Sequence, residues 1–234
     1  MRIGILKTDS VVPELSQQFG DYPEMFSALL RDVEPTLAVS VWDVVAGERP
    51  TKVDCCDGWL ITGSRHSVYD DLPWIRDLED LVREIHAARR KLLAICFGHQ
   101  LVAQVLGGRT GPAAGGWTVG VQTMLRDKSL ESKRVFPDSL RIIHSHQDQV
   151  LELPERAELL AGNKACPFGF FQIEKHILAM QGHPEFQVDY AGALYKRRRD
   201  LLGENTYAAA VESLVAGDDA RMIARMMVDF VKTP

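Results

Sequence analysis

Apolar and polar positions along this chain fall into two rhythms, and the switches between them outline its elements. RIGIL at residues 2–6 is a short apolar run of the kind that fills a buried strand. From Tyr22, YPEMFSALLRD sets Met25, Phe26, Leu29 and Leu30 on one side of a predicted helix. LAVSVWD from Leu37 alternates and ends in a polar turn, giving a second strand, and DGWLITGS gives a third before a loop rich in Gly, Ser and Asp. Leu72, Trp74, Ile75, Leu78, Leu81, Val82 and Ile85 then hold an apolar stripe opposite Arg76, Glu79, Asp80, Arg83 and Glu84, the clearest helix in the chain. KLLAI follows as a strand and HQLVAQVLGG as a helix stopped by its glycine pair. Strand and helix in turn predict an α/β fold, a mostly parallel open sheet with flanking helices.

Past Gly111 the texture changes. GPAAGGW is a loop, TVGVQTM and LRIIHSH are strands, and FGFFQIEKHILAMQGHPEF gives two strands joined by a turn around Glu174 and Lys175. Adjacent strands without intervening helices predict an antiparallel portion added to the parallel core. The end is helical again, from Val188 to Leu202 and from Ala208 to Val231 with a break at Gly217. With no repeat, low-complexity tract or long linker, residues 1–234 are expected to form a single domain, closed by the helices from about residue 188.

Charge and composition narrow the function. A formal charge of −5 offers no field for a phosphate backbone, so no nucleic-acid partner is expected. The run Lys196, Arg197, Arg198, Arg199 sits in a helical stretch beside Tyr190, Leu194, Leu201 and Leu202 and reads as a solvated face. No apolar segment approaches a membrane span and MRIGILK is too short for a secretory signal, so a cytoplasmic protein without membrane contact is expected. Cys55 and Cys56 are adjacent while Cys96 and Cys166 stand alone, so no paired Cys-x-x-Cys spacing is present. His144 and His146 can share a strand face, but no third histidine or nearby cysteine completes a zinc spacing; they are expected to line a cleft or stack in the core, with no metal or cofactor.

Cys96 lies where the KLLAI strand gives way to a helix. Ala94 two before and Gly98 two after are small, as a sharp strand-to-helix turn requires, and the helix N-terminus favours thiolate over thiol. A buried structural thiol is the other reading of this residue. His99 belongs to the helix just begun and is expected to pack beneath the turn. His183 is better placed as a base: Pro184 keeps it extended, so Glu185 projects to the same side and can orient the ring. The backbone N–H of Phe97 offers one oxyanion donor, and the turn at Gly63 and Ser64 another, unless Gly63 is an ordinary turn glycine. Trp117 could wall a pocket, though packing against a neighbouring helix is the expectation here.

Cys96, Gly98 and Gln100, followed by His183, Pro184 and Glu185, resemble the class I glutamine amidotransferase family, with a Cys-x-Gly-x-Gln elbow and a later His-Pro-Glu. TGSRHSVYDD and SHQDQV, from Ser145, extend the likeness over about the first four-fifths of the chain. The resemblance implies hydrolysis of a glutamine side-chain amide through a cysteinyl thioester, with ammonia released to a partner synthase. It implies backbone N–H donors at Phe97 and Ser64, a substrate contact from Gln100, and backbone groups of Ser145, Gln147 and Asp148 around the amino-acid head. Three positions depart from the family pattern: Ala94, Ser64 and Gln147 each stand where glycine is usual. The stretch after Glu185 reads as closing helices with no synthase among them. Either a partner subunit accepts the ammonia, or the protein is a stand-alone γ-glutamyl hydrolase or transferase. A non-catalytic regulatory or binding subunit is a further alternative, although such a protein would usually have lost Cys96 or His183. A chaperone or reductase on a related scaffold would need neither His-Pro-Glu nor Gln100.

Overall fold

β1 (Arg2–Lys7) is buried along almost its whole length and pairs in parallel with both β2 (Ala38–Asp43) and β3 (Gly58–Ile61). The computed structural model describes residues 1–130 and 136–233. Before β2 come α1 (Pro13–Phe19) and α2 (Tyr22–Val33), and β3 leads through α3 (Pro73–Ala87) to β4 (Lys91–Ile95) and α4 (Phe97–Val105). The middle of the chain supplies β5 (Arg109–Pro112), β6 (Thr118–Arg126), β7 (Ser139–His146), β8 (Asp148–Glu152), β9 (Ala157–Gly162), β10 (Phe170–Ile173) and β11 (Ile177–Met180). The chain closes with α5 (Val188–Arg197), α6 (Arg199–Leu202), α7 (Glu204–Ser213) and α8 (Ala220–Lys232).

Nine strands form one sheet in the order β2-β1-β3-β4-β11-β10-β9-β6-β7, and β5 and β8 pair separately. The β2 to β11 half is parallel, while β10, β9, β6 and β7 are antiparallel. β1, β3, β4 and β11 run nearly continuously apolar because both faces are covered, whereas the edge strand β2 is only partly buried. Alternate residues divide between the layers: Trp59, Ile61, Leu92 and Ala94 pack under α3 and α4, whereas Leu60, Leu93 and Ile95 face α2 and α8. Each fully buried aliphatic or aromatic side chain in these layers contributes roughly 1.5–3 kcal/mol of transfer free energy. A third cluster joins Val119 and Ile143 to Phe186, Tyr190, Tyr195 and Leu214, fixing α5 and α7 against the antiparallel half.

The expected alternation, the antiparallel portion, the turn at Glu174 and the break at Gly217 are all present. Other elements differ. α1 buries no residue and so carries no apolar stripe to read. β5 contains Gly111 and Pro112 and takes part of the expected GPAAGGW loop, its strand character arising from pairing with β8. The expected Val188–Leu202 helix divides at Arg198, where the backbone leaves helical geometry between α5 and α6. No helix among the described residues is long and apolar enough to cross a membrane.

Candidate active site

The carboxyl ends of β1, β3, β4 and β11 meet at one edge of the sheet, where open α/β sheets place their ligands. Thr8 and Thr62, just past β1 and β3, are fully buried. The Thr8 hydroxyl donates to Gly63 O at 2.8 Å, tying the loop after β3 to the end of β1.

Cys96 bridges β4 and α4 with φ 50° and ψ −97°. A residue with a side chain pays about 1–3 kcal/mol to hold so sparsely populated a conformation, which persists only when its surroundings fix it. Its N–H donates to Met180 O at 2.9 Å and its carbonyl accepts from Gln100 N at 3.0 Å, fixing the turn from both sides. Gly98 makes the approach of α4 possible, since a Cβ there would lie 2.7 Å from Cβ of Ile61. As the first residue of α4, Phe97 has an N–H with no acceptor within the helix, free to point at a ligand.

His183 comes from the segment after β11 and not from the helix beside Cys96. Its N–H donates to Ile143 O at 2.8 Å, and its ring stacks on Phe186 with centroids 4.0 Å apart. Nδ1 lies 2.8 Å from Glu185 Oε1, both groups buried. Burial works against the imidazolium, but Glu185 and then Cys96, both by charge and by hydrogen bonding, outweigh it and raise the His183 pKa to about 10. Gly63 allows the ring this position: a Cβ there would sit 2.7 Å from His183 Cε1. A thiol facing an imidazole that a buried carboxylate holds can transfer its proton and attack an electrophilic carbonyl.

The cavity over Cys96 measures about 290 Å³ and includes Ser64, Gln100, Ser145, Gln147 and Asp148 among its walls. Gln100 donates through Nε2 to Asp148 O at 2.8 Å and to Gln181 Oε1 at 3.1 Å, so its amide nitrogen is committed to the wall. Ser64 Oγ accepts from His66 N, and Gln147 O accepts from Ala113 N. Asp148 Oδ2 accepts from the hydroxyls of Ser67 at 2.6 Å and Tyr69 at 2.8 Å. Ser145 Oγ accepts from Arg198 at 2.7 Å. Of the residues read from the sequence as site candidates, Ser64, Cys96, Gln100, Ser145, Gln147 and Asp148 thus line the cavity, while Gly63 packs against His183 and Cys96, and Glu185 holds His183.

Other neighbours carry no signal in the sequence, or one that reads differently. Gln181, at the end of β11, donates to Cys96 Sγ at 3.5 Å; a lone glutamine after a strand carries no sequence signal. Trp117, expected in core packing, lines the cavity with Arg198 over its ring at 5.4 Å. Arg198 itself departs from the expected solvated face: Lys196, Arg197 and Arg199 are exposed, but Arg198 is half-buried and turns into the cleft.

His99 packs beneath the turn as expected, its Nε2 2.8 Å from Phe168 O and its ring against Phe171. Burial pushes its pKa down to about 3. His144 and His146 also stay neutral through burial, and Cys166, distant in sequence, joins them in space. Their possible ligand atoms lie within 4.8 Å of one another, so a cysteine stands beside the histidine pair in space although no zinc spacing is completed along the sequence. His144 Nδ1 lies 2.9 Å from His146 Nε2, and His146 Nδ1 2.9 Å from Asp148 O, a hydrogen-bonded chain that already organises the wall.

The family described as Glutamine amidotransferase class-I matches residues 24–199. Gamma-glutamyl peptidase 3 of Arabidopsis thaliana is 34% identical over 82% of this chain and 82% of its own. A putative glutamine amidotransferase-like protein of Schizosaccharomyces pombe is 30% identical over 98% of each. A crystal structure of a glutamine amidotransferase from Thermotoga maritima shares the fold with a TM-score of 0.76, covering 99% of this chain and 96% of that one at 19% identity.

Proposed function

The chain belongs to the class I glutamine amidotransferase family, and on that premise we propose that it cleaves the amide bond of γ-glutamyl compounds through a thioester on Cys96. The juxtaposition of a strained Cys96 with a buried His183 whose Nδ1 is held by Glu185 at 2.8 Å carries this proposal. The Cys96 thiolate attacks the γ-carbonyl carbon, and the oxyanion is held by N–H groups of Phe97 and of the Gly63–Ser64 turn. His183 gives its proton to the departing amine as the carbon–nitrogen bond breaks. Water, giving a proton to His183, then attacks the thioester, releasing glutamate and restoring the thiol.

The choice of γ-glutamyl amides over glutamine alone is supported by a named γ-glutamyl peptidase whose length this chain matches over 82%. The apolar surface of Trp117 and the exposed Leu201 at the rim of the cavity supports it as well. A group larger than ammonia can rest there as it leaves. For the purified protein, kcat/KM on at least one γ-glutamyl amide is expected to exceed that on free glutamine by about tenfold, roughly 1.4 kcal/mol of transition-state binding. A slow glutaminase accelerated only by a second protein, with no preference for larger substrates, would instead identify the component of an ammonia-delivering synthase.

A further inference from the structure

Three ionised side chains border the cavity, and they differ in how they are balanced. Arg65 is neutralised by Asp9, its Nε and Nη2 both bonding that carboxylate at 2.6–3.0 Å. Asp148 receives the hydroxyls of Ser67 and Tyr69 but, among the described residues, no cation. Arg198 bonds only the uncharged Ser145 hydroxyl and lies over Trp117, with no carboxylate partner among the described residues. Lys196 aside, its neighbours in the basic run behave differently: Arg197 faces Glu14, and Arg199 pairs with Glu204.

The cleft around Cys96 thus presents one unbalanced positive and one unbalanced negative group. That is the complement of an amino-acid head, which carries an ammonium and a carboxylate on one carbon. We propose that the Arg198 guanidinium binds the α-carboxylate of the γ-glutamyl group, with Asp148 facing the α-ammonium. This rests on the γ-glutamyl reading above and adds to it a side-chain receptor supplied by the junction of α5 and α6. What the family resemblance implies around this head is backbone groups of Ser145, Gln147 and Asp148; it names no side chain from the α5–α6 junction.

The position of Arg198 is built into the fold. Its N–H donates to Leu194 O at 3.1 Å and Tyr195 O at 3.0 Å, ending α5. Fully buried Tyr195 anchors that helix to the antiparallel half, donating to His144 O at 2.6 Å and accepting from Gly120 N at 3.0 Å. Ser145 holds one arm of the guanidinium at 2.7 Å, and the Trp117 face steadies its plane. A planar fork fixed in this way loses little entropy on meeting a carboxylate, which Arg engages through two parallel hydrogen bonds. Leu194 and Tyr195 are core residues, while Arg198 sits beyond them at the helix end, so its side chain can be changed without opening the core.

The test compares wild type, Arg198→Gln and Arg198→Lys on three substrates. These are γ-glutamyl-p-nitroanilide, the 4-aminobutanoyl anilide that lacks only the α-carboxylate, and γ-glutamylglycine, which carries a second carboxylate on its leaving group. Wild type is expected to favour the first over the second by about 30-fold or more, the scale of a hydrogen-bonded charge pair. Arg198→Gln should lose that preference by falling only on substrates with the α-carboxylate, and Arg198→Lys should recover part of it. Equal losses on both anilides would make Arg198 a merely structural residue, and a loss confined to γ-glutamylglycine would move the receptor to the leaving group. Either result, or an unchanged variant, overturns the proposal. If wild type cleaves none of the three, the γ-glutamyl reading itself fails. Calorimetric titration with L-glutamate then still decides the subsite: about tenfold or greater weakening in Arg198→Gln supports it, and equal binding overturns it.

Discussion

Replacing Cys96 with alanine is expected to lower turnover of every γ-glutamyl substrate by about 10⁴-fold or more, roughly 5.5 kcal/mol, while the protein remains folded. The loss is large because nucleophile and base act as a unit, leaving only oxyanion stabilisation and binding. The fold survives because alanine keeps the Cβ at the turn and because the backbone bonds to Met180 and Gln100 do not involve the thiol. Among the described residues, Cys96 is the one cysteine lining the cavity. Burial pushes the Cys166 thiol up to about 12, and burial together with neighbouring Cys55 does the same to Cys56. A diazoketone analogue of glutamine should therefore label wild type at Cys96 and leave the alanine variant unlabelled. Turnover that persists in Cys96→Ala would remove the thiol from the reaction.

The second large effect falls on the imidazole and its carboxylate. His183→Ala is expected to lower kcat by about 10³–10⁴-fold, the worth of a positioned acid–base group. It also leaves the Glu185 carboxylate buried without its partner, a loss of about 3–5 kcal/mol in stability. Glu185→Gln should be milder, about 10²-fold in kcat with little change in KM, because the ring remains and only its orientation and charge support are weakened. Full activity in Glu185→Gln would exclude the carboxylate from the mechanism.

The pH dependence has a definite sign. Burial alone would lower the His183 pKa, but Glu185 and Cys96 raise it from 6.5 to about 10. The stabilisation is therefore fully present below about pH 6.5 and is lost as pH rises through about 10. Glu185→Gln removes the leading support for the cation, so its stability deficit against wild type should be widest near pH 6.5 and narrow as pH approaches 10. Chemical denaturation at several pH values checks this, and a deficit that grows toward alkaline pH would reverse the assignment of the proton.

The sequence shows the parallel half of the fold because its elements announce themselves locally. Trp59 and Ile61 face one layer and Leu60 the other, and the α3 stripe from Trp74 to Ile85 needs no tertiary knowledge to be seen. β5 and β8 are different, since residues such as Gly111 and Pro112 become a strand only through their partner. For the cleft, Cys96 and His183 are legible from local turn chemistry and the extended His-Pro-Glu segment. Gln181 and Cys166 are not, because their relevance comes from strands brought together across the sheet. Arg198 was hidden for another reason. A run of four basic residues has one solvent-facing signature, and the end of α5 is what turns the third of them inward.

Mass spectrometry of enzyme quenched in acid during turnover of a γ-glutamyl amide tests the covalent γ-glutamyl intermediate on Cys96 most directly. One glutamyl group should appear as a hydroxylamine-sensitive thioester on the peptide containing Cys96 and be absent from Cys96→Ala. Rapid cleavage with no such adduct under conditions that preserve thioesters, or a glutamyl group on another residue, would contradict it.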